Sequence, residues 1–422
     1  MEFFFQNIFH INEITNGPAS SAGTAWKKGR IMLAFIQKAN NLIWGLPLLI
    51  ILMGTHLYFT CKLRMPQRKI LYAIRLSLGM EDTGDNHNLS PFSALATTLA
   101  ATLGTGNIIG VSTAVALGGA GAVFWCWITG ILGMATAYAE CYLSVLFRSR
   151  GKDGAYVGGP MYVLKNGLHN KSLGSFYALC TLIAAFGAGC ATQANSATQA
   201  ASFSFHLSPH IVGILLAVVT GTVILGGVKA IGSLCERIVP AISFIYLFGC
   251  FLLLCLYYRQ LPEACLLIVR DAFSFSSVAG GFIGSTIQMS LRYGIARGLF
   301  TNEAGIGTSA IAAAASDVSD PKHQAYVSMT AVFWDTVVMC LVTGIVIVAN
   351  MLYDPASIQG IPSTGLTSAA FAHLPYVGDA FLTVSLIAFA VTTLIGWSYF
   401  GEKERNTLSE IKVFRITNCS IF

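Results

Sequence analysis

The run from Phe92 to Gly118 reads FSALATTLAATLGTGNIIGVSTAVALG, and its centre, Leu103-Gly104-Thr105-Gly106-Asn107, decides the fold. The run carries no Asp, Glu, Lys or Arg. About 20 such residues in a helix cross the ~30 Å hydrocarbon layer of a bilayer. Two glycines near its middle let the backbone leave the helix there. Amides freed at such a break face a carboxylate, and freed carbonyls face a cation. An amino acid zwitterion and a metal ion fit this arrangement. Close helix packing is the other open reading, because small-residue runs also let transmembrane helices approach.

The rest of the chain has the same character. Of 422 residues, 55% are hydrophobic and 10% charged, against about a quarter charged in soluble proteins. Apolar spans are expected at about 41–61, 92–118, 121–147, 175–203, 210–229, 236–257, 275–291, 325–350 and 379–401. The chain therefore reads as an all-α integral membrane protein with a single transmembrane domain over 1–422 and nine spans. Residues 1–40 read as a retained tail, since Trp26-Lys27-Lys28-Gly29-Arg30 precedes a span too long for a signal-peptide core. A second glycine interruption, Gly280-Gly281-Phe282-Ile283-Gly284, falls in the seventh span. It lies five spans after the first, the period of a five-helix inverted repeat, in which paired breaks mark the central site.

Basic residues set the expected topology. Lys62, Arg64, Arg68, Lys69 and Arg75 crowd the 62–91 connection, and Arg148, Arg150, Lys152, Lys165 and Lys171 follow the third span. Both connections are expected in the cytoplasm. Alternation then puts Lys229 and Arg237, Arg292, Arg297 and Lys322, and the basic C-terminal tail on the same side, so that nineteen of 25 Lys and Arg lie inside and the N-terminus outside. A cytoplasmic membrane is the expected location. Short loops are not a nucleic-acid patch, so no nucleic-acid partner is expected. The 11 cysteines form neither a CxxC pair nor a Cys/His cluster, which argues against disulfides and zinc. No HExxH or nucleophile–base pair points to an enzyme, and no cofactor is expected.

Ionisable groups at membrane depth cost a few kcal/mol, so Glu140, Glu303 and Asp335 need partners. For Glu140 these are Arg148 or the lipid interface, or a functional contact. For Asp335 they are a ligand site, a helix break, or an arginine such as Arg292. Gln193 and Asn195 in the fourth span and Thr392 and Thr393 in the ninth offer oxygens to a ligand or Na+, though interhelical glue is the default role of such residues. Trp397, by position alone, reads as an interface anchor.

Gly104-Thr105-Gly106-Asn107-Ile108-Ile109-Gly110, followed by Gly118-Gly119-Ala120-Gly121-Ala122-Val123-Phe124-Trp125-Cys126-Trp127-Ile128, resembles the alanine or glycine:cation symporter family. Tyr156-Val157-Gly158-Gly159-Pro160-Met161-Tyr162, Gln193-Ala194-Asn195-Ser196, Arg297-Gly298-Leu299-Phe300-Thr301-Asn302-Glu303-Ala304-Gly305 and Gly396-Trp397-Ser398-Tyr399-Phe400-Gly401-Glu402 echo it in order over about 90–402. The resemblance implies a LeuT-like core of two inverted five-helix repeats, at 92–257 and 275–401, preceded by one extra helix at 41–61. It implies uptake of alanine or glycine driven by Na+, or occasionally H+. Backbone around Thr105 and Gly106 would hold the substrate carboxylate, with Gly281 and Phe282 facing it. Gln193 would add a contact and Trp397 would shape the side-chain pocket. Na+ would sit between the carbonyls of Ala100 and Leu103 and the hydroxyls of Thr392 and Thr393.

The chain departs from the family in three places. Cys126 stands where the family usually has Met, and Thr308 to Ala314 lacks the usual Pro and His. After Glu402 the family continues through two more spans, whereas residues 402–422 read as a polar tail. The second repeat is then short, with nine spans rather than eleven, and a truncated or frameshifted remnant without transport is the alternative to a working symporter.

Overall fold

The computed structural model describes residues 34, 38, 45–79, 88–151, 154–274 and 287–410. The chain forms two compact units, Met1–Gly54 and Thr55–Phe422. Of the first unit, residues 45–54 are described almost alone, most of them opening helix α1, Leu46–Lys62. All contacts given below lie within the second unit.

Helices dominate because a backbone in hydrocarbon must satisfy its own polar groups. Their starts are written in local sequence. Ser90 caps α3 (Pro91–Thr102), its hydroxyl accepting from Ser93 N at 3.0 Å, with proline at the first helical position where no N–H is needed. Asn170 caps α6 (Lys171–Phe205) in the same way, accepting from Leu173 N at 3.0 Å. Asp320 with Pro321 opens α12 (Pro321–Tyr353). Between these lie α2 (Ile70–Leu78), α4 (Val111–Gly118), α5 (Gly121–Leu146), α7 (Pro209–Leu225), α8 (Gly227–Leu256), α9 (Leu261–Ala272), α10 (Ile287–Asn302) and α11 (Ser309–Ala314). After α12 come α13 (Leu366–Phe371) and α14 (Gly378–Glu410). The only strands among the described residues are Ser149–Arg150 and Tyr156–Val157, an antiparallel pair.

Small residues bring the central helices together, as expected where lipid supplies no hydrophobic drive and packing must do the work. Helix α5 lies between α10 and α12. A Cβ on Gly298 would stand 2.9 Å from Thr129 Cβ, and one on Gly130 would stand 2.7 Å from Thr336 Cγ2. A Cβ on Gly396 would lie 2.6 Å from Ala101 N, which draws α14 onto α3.

Five described helices are long and apolar enough to cross a membrane, or seven spans if each bent pair counts as one; Pro209–Leu225 is apolar but shorter. The protein is therefore a multi-pass, all-α membrane protein. Helix α3 and the segment Gly106–Gly118 form one bent pair, at 52°. The seventh expected span differs. Residues 275–286, including the expected break and its candidate residues Gly281 and Phe282, lie outside the described residues. Helix α10 continues to Asn302, so Arg292 and Arg297, read from sequence as part of a connection, are helical. The polar residues 402–410 extend α14, with Glu404 and Leu408 buried. The basic 62–91 connection contains α2, which exposes Leu71, Tyr72 and Leu78 beside Lys69 and Arg75 while burying Ala73 and Ser77. An apolar face flanked by basic residues is the pattern of a helix lying in a membrane interface.

Candidate functional site

Helix α3 ends at Thr102, and Leu103 leaves the helical region with ψ at 88°. The chain resumes in a wide turn, Gly106–Gly110, that leads into α4. Polar side chains meet the backbone left between the two segments. Asn107 folds back, its Oδ1 accepting from Gly104 N at 3.1 Å. Thr105 donates twice to Gln193 Oε1 on α6, from its amide at 3.1 Å and its hydroxyl at 2.8 Å. Thr393 on α14 donates its hydroxyl to Leu103 O at 3.2 Å. Glycine is required at 104 by this approach: a Cβ there would stand 2.8 Å from Thr393 Oγ1 and 3.1 Å from Gln193 Oε1.

One turn beyond Thr393, Trp397 is buried with its ring across Gly189, which lies one turn before Gln193. The structure thus brings Thr105, Gln193, Leu103, Thr393 and Trp397 to one place. It does not bring Thr392 there by hydrogen bonding: that hydroxyl turns back on its own helix, to Phe389 O at 2.9 Å and Ala388 O at 3.3 Å. Ala100 is fully buried one turn before Gly104. Asn195 serves its own helix, accepting from Gln199 Nε2 at 3.2 Å. A cavity of about 150 Å³, lined by Leu182, Phe186, Cys190 and Ser398 with Glu402 and Arg405, shares Trp397 and none of the other candidate residues.

A second cluster hangs on Asn107. Its Nδ2 donates to Asp335 Oδ1 at 2.7 Å and to Asp335 O at 3.2 Å. The other carboxylate oxygen accepts from Thr336 Oγ1 at 2.7 Å, and that hydroxyl accepts in turn from Asn302 Nδ2 at 3.1 Å. Helix α12 passes through a wide stretch, Phe333–Cys340, at this point. Of the readings open for Asp335, the bond to a helix break is the one found. Arg292 lies instead 5.7 Å from the centre of the Tyr293 ring.

Arg297 also stands here. Its guanidinium occupies the space beside Gly106 and Gly110, and a Cβ on either glycine would run into it. Glu140 does not pair with Arg148. Its Oε1 accepts from Gly305 N at 3.0 Å, in the turn where Glu303 adopts φ of 56° and accepts from the Thr308 hydroxyl. Arg148 donates to the carbonyls of Ser316 and Val318, each at 2.7 Å, and stacks on Tyr156.

Arg297 and Asn107 are the residues missed as site members from sequence. From sequence alone Arg297 reads as a loop charge. Both stand in the quoted motifs, Gly104 to Gly110 and Arg297 to Gly305, and that is the available signal.

The family model described as the sodium:alanine symporter family matches residues 30–421. The chain is similar to an uncharacterized transporter of Haemophilus influenzae, at 40% identity over 373 residues, which is 88% of this chain and 81% of the relative. It is 40% identical over 377 residues to the sodium/alanine symporter AgcS of Methanococcus maripaludis, covering 88% and 82% of the two chains. A putative sodium/proton-dependent alanine carrier protein of Bacillus subtilis, YrbD, is 33% identical over 382 residues, with 88% and 78% covered.

Proposed function

As the chain belongs to the sodium:alanine symporter family, a family of membrane transporters, we propose that it is a secondary active symporter importing alanine or glycine with Na+ across the cytoplasmic membrane. The observation that carries this reading is the meeting of the broken helix at Leu103 to Thr105 with Gln193 and Thr393. Gln193 Oε1 already sits on the Thr105 amide and hydroxyl as a carboxylate oxygen would. Thr393 Oγ1 and Leu103 O, 3.2 Å apart, are two oxygens of the kind that ligate Na+. Trp397 beside them bounds the room for a side chain, in keeping with a small substrate. The name of AgcS, a sodium/alanine symporter, supports the same substrate and ion. In this reading Ala100 O and Thr392 complete the ion's oxygen shell.

Reconstituted in proteoliposomes, the protein is expected to accumulate labelled alanine only under an inward Na+ gradient. Replacing Thr392 and Thr393 together by Val keeps shape and removes both hydroxyls. The Na+ concentration for half-maximal uptake is expected to rise several-fold. Uptake that ignores the Na+ gradient in the parent would sink the symport reading, and an unchanged Na+ dependence in the double variant would remove the ion site from this place.

The orientation is part of the same proposal. Cysteine-accessibility labelling is expected to find the 62–91 and 148–174 connections cytoplasmic and the 351–378 connection and N-terminus external. External labelling of 148–174 would reverse the topology.

A further inference from the structure

Inside a membrane protein a guanidinium keeps its charge, because arginine does not give up its proton under protein conditions. Buried donors of such a group need acceptors, and leaving them unmet is costly. Arg297 is in that position: its Nε and Nη2 are buried and donate to nothing among the described residues. The neighbours do not meet the need. Phe300, with its ring centre 5.2 Å from the guanidinium carbon, offers a π face but no lone pair. Asp335 attracts the cation but accepts no hydrogen bond from Nε or Nη2; its oxygens are bonded by Asn107 and Thr336.

The sequence makes room for this side chain and holds it at the break. Gly106 and Gly110, four residues apart, present one bare face of the wide turn, and the guanidinium lies against it. The Gly104 and Thr105 donors at the break are taken. Gly104 N is held by Asn107 Oδ1, and the amide and hydroxyl of Thr105 by Gln193 Oε1. Arg297 adds two unmet side-chain donors beside the break.

We propose that Arg297 shares the carboxylate of the transported amino acid with the Thr105 donors, taking the oxygen that Thr105 does not hold, and so sets the requirement for a free carboxylate. This rests on the symporter reading of the same site. A guanidinium fork presents N–H donors that match a carboxylate, and the charge-assisted pair is strongest where water is excluded. The cation also balances the substrate's negative end, while Na+ at the Leu103 and Thr393 oxygens adds its charge separately. A small inorganic anion such as chloride would use the same donors, so the test separates the two sources.

The experiment uses the full chain, purified and monodisperse, with saturating Na+. Binding of alanine and of alaninamide, which lacks the carboxylate charge, is measured by calorimetry for the parent, Arg297→Gln and Arg297→Lys, in chloride and in gluconate. The parent is expected to prefer alanine strongly, with no need for chloride. Arg297→Gln is expected to bind alanine about 100-fold more weakly and to lose most of its preference over alaninamide, as a lost charge-assisted pair implies. Arg297→Lys, which keeps the charge and loses the fork, is expected to fall between, and it carries the test if the Gln variant does not fold. Unchanged alanine affinity and unchanged discrimination in a folded variant would overturn the proposal. So would a parent that needs chloride and an Arg297→Gln variant that loses only that need. A parent that binds neither alanine nor glycine would remove the symporter reading along with this one.

Discussion

Leucine in place of Gly106 is expected to abolish alanine binding while the protein still inserts and purifies as a single species. Gly106 is not among the glycines with positive φ, so the substitution tests space rather than backbone strain. The space belongs to Arg297, whose Nη2 a Cβ at 106 would strike; Nη1 blocks the same addition at Gly110. A leucine side chain must therefore expel the guanidinium and fill the approach to the break. Gly213 on α7 is the control, since a Cβ there meets nothing within 4 Å, and Gly213→Leu is expected to bind alanine like the parent. Gln193→Ala removes a contact rather than blocking one. Losing a neutral hydrogen bond from Gln193 to the bound amino acid, with the buried substrate group left stranded, costs about 1–3 kcal/mol, or roughly five- to 150-fold in affinity. Calorimetry on the three variants decides the matter. If Gly106→Leu bound alanine as tightly as the parent, the glycines would be packing residues and the substrate site would lie elsewhere.

Much of the fold was legible because hydrocarbon imposes a simple demand, a long uncharged run. Gly121–Leu146 and Gly227–Leu256 answer to that rule directly. The glycine break at 104–106 was legible for a different reason: two glycines in the middle of a span let the backbone leave the helix, although close packing was the competing use. What was not legible lies where helices carry charge. Helix α10 holds two arginines and reads as a connection, yet it is a packed helix because Gly294 and Gly298 let it lie against α5. The end of α14 reads as a polar tail, yet Glu404 and Leu408 are buried in it. A residue's tolerance of burial depends on neighbours that are distant in sequence, and composition windows cannot see them.

The candidate site divides along the same line. Thr105, Gln193, Thr393 and Trp397 were named from motifs and converge in the structure. Their geometry adds something motifs could not hold: in the described arrangement Gln193 and Asn107 occupy the donors that the break sets free. Binding at Thr105 is then an exchange of one oxygen for another, not the filling of vacant amides. Asp335 stood out by charge alone, but its partner Asn107 lies 228 residues away, and no local pattern connects them.

That pair supports the second large effect. Asp335→Leu is expected to destabilise the folded protein by about 3–5 kcal/mol, the range for breaking a buried charged network from one side. Leucine keeps the branch at Cγ and leaves no cavity, though its greater bulk adds some overpacking to the lost acceptors. It removes the acceptor of the Asn107 Nδ2 and Thr336 hydroxyl bonds, each 2.7 Å in the parent. Asn107 keeps only the Asp335 carbonyl at 3.2 Å and the Cys340 sulfur at 3.4 Å, and the latter is a weak acceptor. The same change takes from Arg297 a neighbouring negative charge. Asp335→Asn keeps an acceptor oxygen and the side-chain shape, so it is expected to lose clearly less than the leucine variant. Denaturant titration of both variants in the same detergent, followed by tryptophan fluorescence, measures the difference. Equal stability of Asp335→Leu and the parent would mean that the bond between the broken helix and α12 is replaceable, and that the break is held by α6 and α14 alone.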